Sequence, residues 1–138
     1  MHYVSLVRRL AAAGVDGLIV FVGFGFAIGA LFGSVSTSPE GAEFHLDGAA
    51  ALALFASWLV YFVALEATLG ATVGKFLFGV RVRTAGGGQI GWTAALVRNL
   101  LRVPDVCFGM VGLLLMWISP RRQRLGDYAA GTVVVARS

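Results

Sequence analysis

The chain has 138 residues, of which 58% are hydrophobic and 13% charged, and its net charge is +4. A soluble domain of this length leaves too much surface exposed to hide so apolar a composition, which excludes an ordinary water-soluble fold. The basic excess is also segregated by segment, the pattern that orients a membrane protein rather than one that grips nucleic acid, so no nucleic-acid partner is expected.

Gly17–Val35 and Gly48–Leu65 contain no charged residue. At 1.5 Å per residue each forms a helix of roughly 28 Å, close to the ~30 Å thickness of bilayer hydrocarbon. Two transmembrane helices are therefore predicted, over about 10–35 and 48–70. The first apolar run exceeds the ~7–15 residues of a signal peptide and a second span follows it, so it is read as retained. Gly25, Gly29 and Gly33 recur at a spacing of four and predict a packing face on the first helix, with Ala49, Ala53 and Ser57 as the facing stripe. Between the spans, an outer loop at 36–47 holds Glu40, Glu43 and Asp47. Ser34–Asp47 has no Lys or Arg, and all 11 basic residues lie elsewhere. The positive-inside rule then puts the N-terminus and Ala71–Arg102 in the cytoplasm.

The stretch "FGVRVRTAGGGQIGW" alternates, turns on glycines and resumes, which predicts a cytoplasmic β-hairpin over 79–92. "TAALVRNLLRV", at 93–104, is amphipathic. Arg98, Asn99 and Arg102 share one side with Asp105, and Leu96, Val97, Leu100, Leu101 and Val103 take the other, as suits a helix lying on the membrane surface. Pro104 predicts a kink. The 14 uncharged residues of "VCFGMVGLLLMWIS" sit in a third membrane segment at 105–119 that is short for a span. A full crossing would carry the arginines of "PRRQR" outward and part the strand predicted at 132–136 from its obvious partner, Val80–Thr84. A re-entrant segment with both termini cytoplasmic is preferred over the alternative, a membrane helix that starts near Asn99 and buries Arg102 and Asp105. The expected fold is thus mainly α and integral to the membrane. It has two spans, a short third embedded helix, an interfacial helix, and a β-hairpin able to pair with the C-terminal strand.

Eight charges converge on the inner leaflet: Arg9, Asp16, Glu66, Lys75, Arg98, Arg102, Asp105 and Asp127. Four are positive and four negative. A charge at mid-membrane costs about 2.5–3.5 kcal/mol on insertion scales, less near the interface, and pairing lowers that cost. Arg9 and Asp16 share a helical face but stand about 10.5 Å apart in rise, so each is expected to meet a partner from another segment. One reading makes this set a staple at the inner interface; the other makes Asp16 or Glu66 titrate as ions move. Other chemistry is sparse. "GATVGKF" is one residue short of a phosphate loop and lacks Ser or Thr after Lys75. His2 and His45 stand alone, with no zinc spacing, no nucleophilic triad can be assembled from adjacent motifs, and Cys107 is the sole cysteine. No enzyme activity, metal or cofactor is expected.

Taken together, "RLAAAGVD", "YFVALEATLGATVGKFLFGVRVRTAGGGQIGW", "LVRNLLRVPD" and "RRQRLGDYAAGTVVV" resemble the RDD family of bacterial membrane proteins across nearly the whole chain. The resemblance implies a single domain at 1–138, multi-pass in the bacterial inner (plasma) membrane. It maps the family's namesake arginine and two aspartates onto Arg9, Asp16 and Asp127, and marks Glu66, Gly74, Lys75, Arg98, Gln123 and Gly131 as matching the family pattern. A part in transport, of cations against protons, has been proposed for the family. Two spans and a dip enclose no polar path alone, so that role implies a homo-oligomer with Asp16 and Glu66 as titrating ligands. The alternative is a non-catalytic accessory subunit bound to other membrane proteins; a weaker third is a lipid-binding module built on Arg98, Arg102, Arg121, Arg122 and Arg124.

Overall fold

The computed structural model describes residues 3–33, 35–45, 47–108 and 111–137. His2, Ser34 in the predicted first span, and Gly109 and Met110 in the predicted third segment lie outside the described residues. The architecture is mainly helical, with two helices long and apolar enough to span a membrane and a small strand pair, as expected.

Helix α1 runs Leu6–Phe32. The Ser5 hydroxyl accepts from Arg8 N–H at its start, 3.5 Å away. Arg9, Ala12, Asp16 and Val20 form its buried stripe, at spacings of three and four. Over Ile19–Phe24 the turns widen to a π-helix before α-geometry resumes. Beyond α1, the hairpin β1 (Val35–Ser38) and β2 (Gly41–Phe44) pairs antiparallel, Ser38 opposite Gly41. The outer loop is therefore ordered as a ribbon around Pro39–Glu40, which its polar sequence did not announce. Helix α2, Gly48–Leu69, begins with the Asp47 carboxylate accepting from Ala50 N–H at 2.7 Å. Only 28% and 17% of the apolar windows of α1 and α2 are buried. Phe21, Phe26, Leu31, Leu52 and Val60 stand exposed, as on a lipid-facing surface and unlike the core helix of a soluble protein.

The α1–α2 contact differs from the predicted glycine stripe. Val20 and Ile28 of α1 pack with Ala50, Leu54 and Phe62 of α2. Gly25 and Gly29 are buried, but Gly33 is exposed at φ +66°, where it ends the helix and donates its N–H to Gly29. Gly25 and Gly29 thus lie on the buried face beside Ile28, and only Gly33 leaves the predicted stripe, because the helix ends there. On α2 the predicted Ala53 packs against this cluster, while Ala50 and Leu54 take the buried positions and Ala49 is exposed.

After α2, helix α3 (Val73–Leu77) leads to strand β3 (Val80–Thr84). β3 pairs antiparallel with the C-terminal strand β4 (Thr132–Ala136), from Val80 opposite Ala136 to Thr84 opposite Thr132. The predicted hairpin over 79–92 is thus corrected, since "QIGW" is no strand. Ile90 is buried in the core beneath the β-pair. The Gln89 amide donates to the carbonyls of Ala67 and Thr68, satisfying the end of α2. Four β-branched residues in a row at Thr132–Val135 make β4 the better partner. Tyr3 extends the sheet by bridging to Val135, and Val4 N–H donates to Val134 at 3.4 Å.

The amphipathic segment divides into α4 (Trp92–Leu100) and α5 (Arg102–Cys107). The break falls at Leu101, not Pro104. Proline lacks the N–H that would bond back to Leu100, yet it fits the first turn of a new helix. The polar face also points the other way from the surface-helix expectation. Asn99 is buried, whereas Leu96, Leu100 and Val103 are exposed. Helix α6, Val111–Ile118, has 8 residues and rises only about 12 Å. Helix α7 (Leu125–Ala129) then returns the chain to β4.

Val82 N–H bonds to Gly70 and Val134 accepts from Val4, so Val82 and Val134 are a non-hydrogen-bonded antiparallel pair with close Cα atoms. With Cys107→Ser as background, Val82→Cys with Val134→Cys will form an intrachain disulfide, seen as a reductant-sensitive mobility shift on gels. Val82→Cys with Val133→Cys will not; cross-linking in both would contradict the register.

Candidate functional site

Five of the eight sequence-predicted charges form one buried chain of alternating sign, Lys75–Glu66–Arg98–Asp127–Arg9. The Lys75 ammonium pairs with Glu66 Oε1. Arg98 bridges two carboxylates, with its Nε 3.0 Å from Glu66 Oε2 and an Nη 3.0 Å from Asp127 Oδ1. Arg9 closes the chain on Asp127 Oδ2 at 2.8 Å. These side chains are all less than one-tenth exposed. Neutral groups fill the remaining hydrogen-bond directions. The Asn99 amide donates to Glu66 Oε2 at 2.9 Å, Arg98 donates to the Thr132 hydroxyl at 3.2 Å, and Arg9 donates to the Arg122 carbonyl.

Local geometry positions each member. Arg9 lies on the buried stripe of α1, and Glu66 is 0% exposed near the end of α2. Lys75 is set by α3, whose N-cap Thr72 accepts from the Lys75 N–H at 3.5 Å. Asp127 sits in the first turn of α7 and accepts from Arg124 N–H at 3.2 Å. Gly126 lets α7 lie against α4, since a Cβ there would fall 2.4 Å from the Arg98 carbonyl oxygen. Arg122 adopts φ +49°, the left-handed region, and its carbonyl is the one that reaches Arg9. Gln123 is buried and ties the turn to β4 by donating to the Thr132 carbonyl at 2.7 Å.

Asp16 stands apart from this chain: among the described residues it forms no ion pair, and its partners from other segments are neutral. Its carboxylate accepts from the Tyr61 hydroxyl at 2.9 Å, the Thr72 hydroxyl at 2.5 Å and Gly74 N–H at 2.8 Å, and it is 0% exposed. Hydroxyls and an amide at a helix start hold the carboxylate by hydrogen bonds alone. The approach is tight: a Cβ on Gly74 would lie 2.2 Å from the Ala12 carbonyl oxygen. Sequence reasoning missed Tyr61, Thr72 and Thr132, and the only available signal was polar residues flanking apolar runs.

Arg102 and Asp105 are also outside the chain. Arg102 lies over the Phe62 ring at 4.4 Å. Asp105 Oδ1 is buried without a hydrogen-bond partner among the described residues. Arg102, Arg124 and Asp105 line a small cavity of about 30 Å³ beside the ionic chain, room for about one water. Neither Arg102 nor Arg124 has a carboxylate within ion-pair distance among the described residues. No group of three or more His, Cys, Asp or Glu able to hold a metal occurs among the described residues.

Burial would raise the Asp127 carboxyl, but Arg98 and Arg9 outweigh it and bring it from 3.8 to about 2. A depressed carboxylate contributes stability that is present above the unfolded value and lost as pH falls through the folded one. Stability in detergent will therefore drop between about pH 4 and pH 2, and Asp127→Asn will make that drop shallower. At neutral pH, Asp127→Asn strands Arg9 and part of Arg98 and will cost about 3–5 kcal/mol by chemical denaturation; a loss below ~1 kcal/mol would contradict the network. Separately, Asp16→Ala removes the acceptor of three hydrogen bonds and will cost at least ~3 kcal/mol, against under ~0.5 for the exposed Glu40→Gln. Equal effects in the same assay would refute the burial of Asp16.

No curated protein and no solved structure matches the chain significantly. The RDD family profile matches residues 3–131, nearly the whole chain. That span takes in the Arg9–Asp127 ion pair and the enclosed Asp16, and the chain belongs to the RDD family.

Proposed function

We propose that this protein is a non-enzymatic module of the bacterial inner membrane that serves as an accessory subunit of a larger membrane assembly. In this reading α1 and α2 cross the bilayer, the β1–β2 ribbon faces outward, and both termini are cytoplasmic. The α5–α6 segment dips into the inner leaflet and returns. The acidic, Lys- and Arg-free outer loop supports that orientation, and the ~12 Å rise of α6 supports a dip rather than a crossing.

The observation that carries the accessory role is the closed state of the ionic chain. Lys75, Arg98 and Asn99 occupy Glu66, and Arg9 and Arg98 occupy Asp127. Neither carboxylate is vacant for a travelling cation, so the network fastens the cytoplasmic β-pair to the membrane helices. Trp117 and Ile118 on α6, 82% and 76% exposed, provide apolar surface for lipid or for a neighbouring subunit.

A second reading, proton-coupled cation transport by a homo-oligomer, rests on Asp16. It is a buried carboxylate with no ion-pair partner, and π-helical turns begin three residues later, a feature often found at functional sites. Mild detergent extraction with mass spectrometry separates the two. Unrelated membrane proteins at fixed stoichiometry are the expected companions. A homogeneous homo-oligomer without companions, whose vesicles show a cation-dependent pH change abolished by Asp16→Asn, would replace the accessory reading with transport.

A further inference from the structure

A groove of about 580 Å³ runs between α1, α2 and α5. Gly17 and Phe21 form one wall and Ala51, Phe55 and Phe62 the other, and Arg102 and Arg124 stand at the end nearest the ionic chain. From Ala51 to Phe62 the helix rises about 16 Å, which is close to half of the ~30 Å hydrocarbon layer. In the orientation proposed above, the groove runs from Ala51, near the outer end of α2, to Phe62, about 10 Å short of its inner end. It is apolar over that length and cationic only at the end that faces the cytoplasm.

The charge there is unbalanced. Arg9, Lys75, Arg98, Arg102 and Arg124 surround the ionic chain and the cavity beside it, against the carboxylates of Glu66, Asp105 and Asp127. The chain consumes Glu66 and Asp127 on Arg9, Lys75 and Arg98. Arg102 and Arg124 are left half-buried at one cavity, without an ion-pair partner among the described residues, and Asp105 is the one carboxylate lining that cavity which is not already paired. Two guanidinium groups held side by side next to an acyl-width trough match a phosphodiester with its tail.

We propose that the α1–α2–α5 groove is a binding site for one anionic phospholipid of the inner leaflet, with the phosphate on Arg102 and Arg124 and an acyl chain along Gly17, Phe21 and Phe55. Choline lipids carry a compensating cation on the headgroup and satisfy the pair less well. The inference rests on the two-span placement proposed above, but not on any partner protein.

Trp58 also lines the groove and reports on its occupant. Trp92 and Trp117 are exposed elsewhere, so Trp92→Phe with Trp117→Phe leaves a single reporter. The full chain is reconstituted in phosphatidylcholine vesicles with bromine-labelled acyl chains carried either on phosphatidylglycerol or on phosphatidylcholine. The anionic lipid will quench Trp58 in preference, by about fivefold in relative association constant for each arginine engaged. Arg102→Gln with Arg124→Gln will bring the ratio to about one, while the exposed Arg121→Gln leaves it unchanged. Gly17→Leu gives an independent arm that keeps both arginines. A Cβ at Gly17 meets nothing within 4 Å, and leucine favours the helix, so the variant folds with the groove filled, and quenching by the anionic lipid falls.

Equal quenching by the two lipids, a preference that survives loss of both arginines, or an equal fall with Arg121→Gln overturns the proposal. So does relief of quenching by inorganic phosphate, which would make the site one for a free anion, or a dimer whose Trp58 neither lipid reaches, which would make it an interface between two copies. Absence of quenching by either lipid in a monomer would overturn the membrane placement along with it.

Discussion

A buried ion is tolerated only when its counter-ion and the rest of its hydrogen bonds come with it. Here five ions from five segments solve that problem jointly. Glu66 from α2 and Asp127 from α7 share Arg98 of α4, while Lys75 and Arg9 close the two ends. Removing one link strands its neighbour in an apolar setting, so the segments that supply the links are coupled in energy although they lie far apart in sequence. The β3–β4 pair and α4 also pack on α2 through Val80, Val82, Val134 and Ala95 against Val63 and Ala67; the shared ions add directional contacts that fix their register against α1 and α2.

Asp16 solves the same problem by different means. Without a cation, it relies on two hydroxyls and the Gly74 amide at the start of α3. The result fixes how the chain turns after α2, because Tyr61, on α2 itself, donates to Asp16 and accepts from Val73 N–H at 3.3 Å. One carboxylate thereby ties α1, α2 and α3 together. The small residues follow from these contacts. Gly74 and Gly126 sit where a helix start must approach another backbone within the distance a Cβ would occupy.

The two leftover arginines give the molecule its asymmetry. Glu66 and Asp127 take up three cations, and the fold supplies five around the same end of the helix pair, with Asp105 the remaining carboxylate there. The surplus stands where α1 and α2 diverge into an open trough. A closed staple on one side and an open groove with cations at its end on the other are built from neighbouring but separate side chains. Any ligand in the trough would therefore leave the staple undisturbed.

Much of this was legible in the sequence, because two of its signals are local. Uninterrupted apolar runs define α1 and α2 whatever surrounds them, and the alternation at Val80–Thr84 and the β-branched run at Thr132–Val135 mark two strands. Charges flanking one leaflet were identifiable as a group of eight, from which the fold pairs Arg9, Glu66, Lys75, Arg98 and Asp127. Which charge meets which was not identifiable, because pairing depends on the relative rotation and depth of helices and no sequence spacing encodes these. Helix α1 ended at Gly33 and so dropped the last glycine of the predicted stripe, Ile90 filled the core where a second hairpin strand was predicted, and α4 turned its polar side inward because the bundle held counter-ions and the lipid side did not. Composition and periodicity determined the elements and the leaflet where charge collects. Only the tertiary arrangement decided that Asp16 is held by hydroxyls and an amide, and that Arg102 and Arg124 are left over.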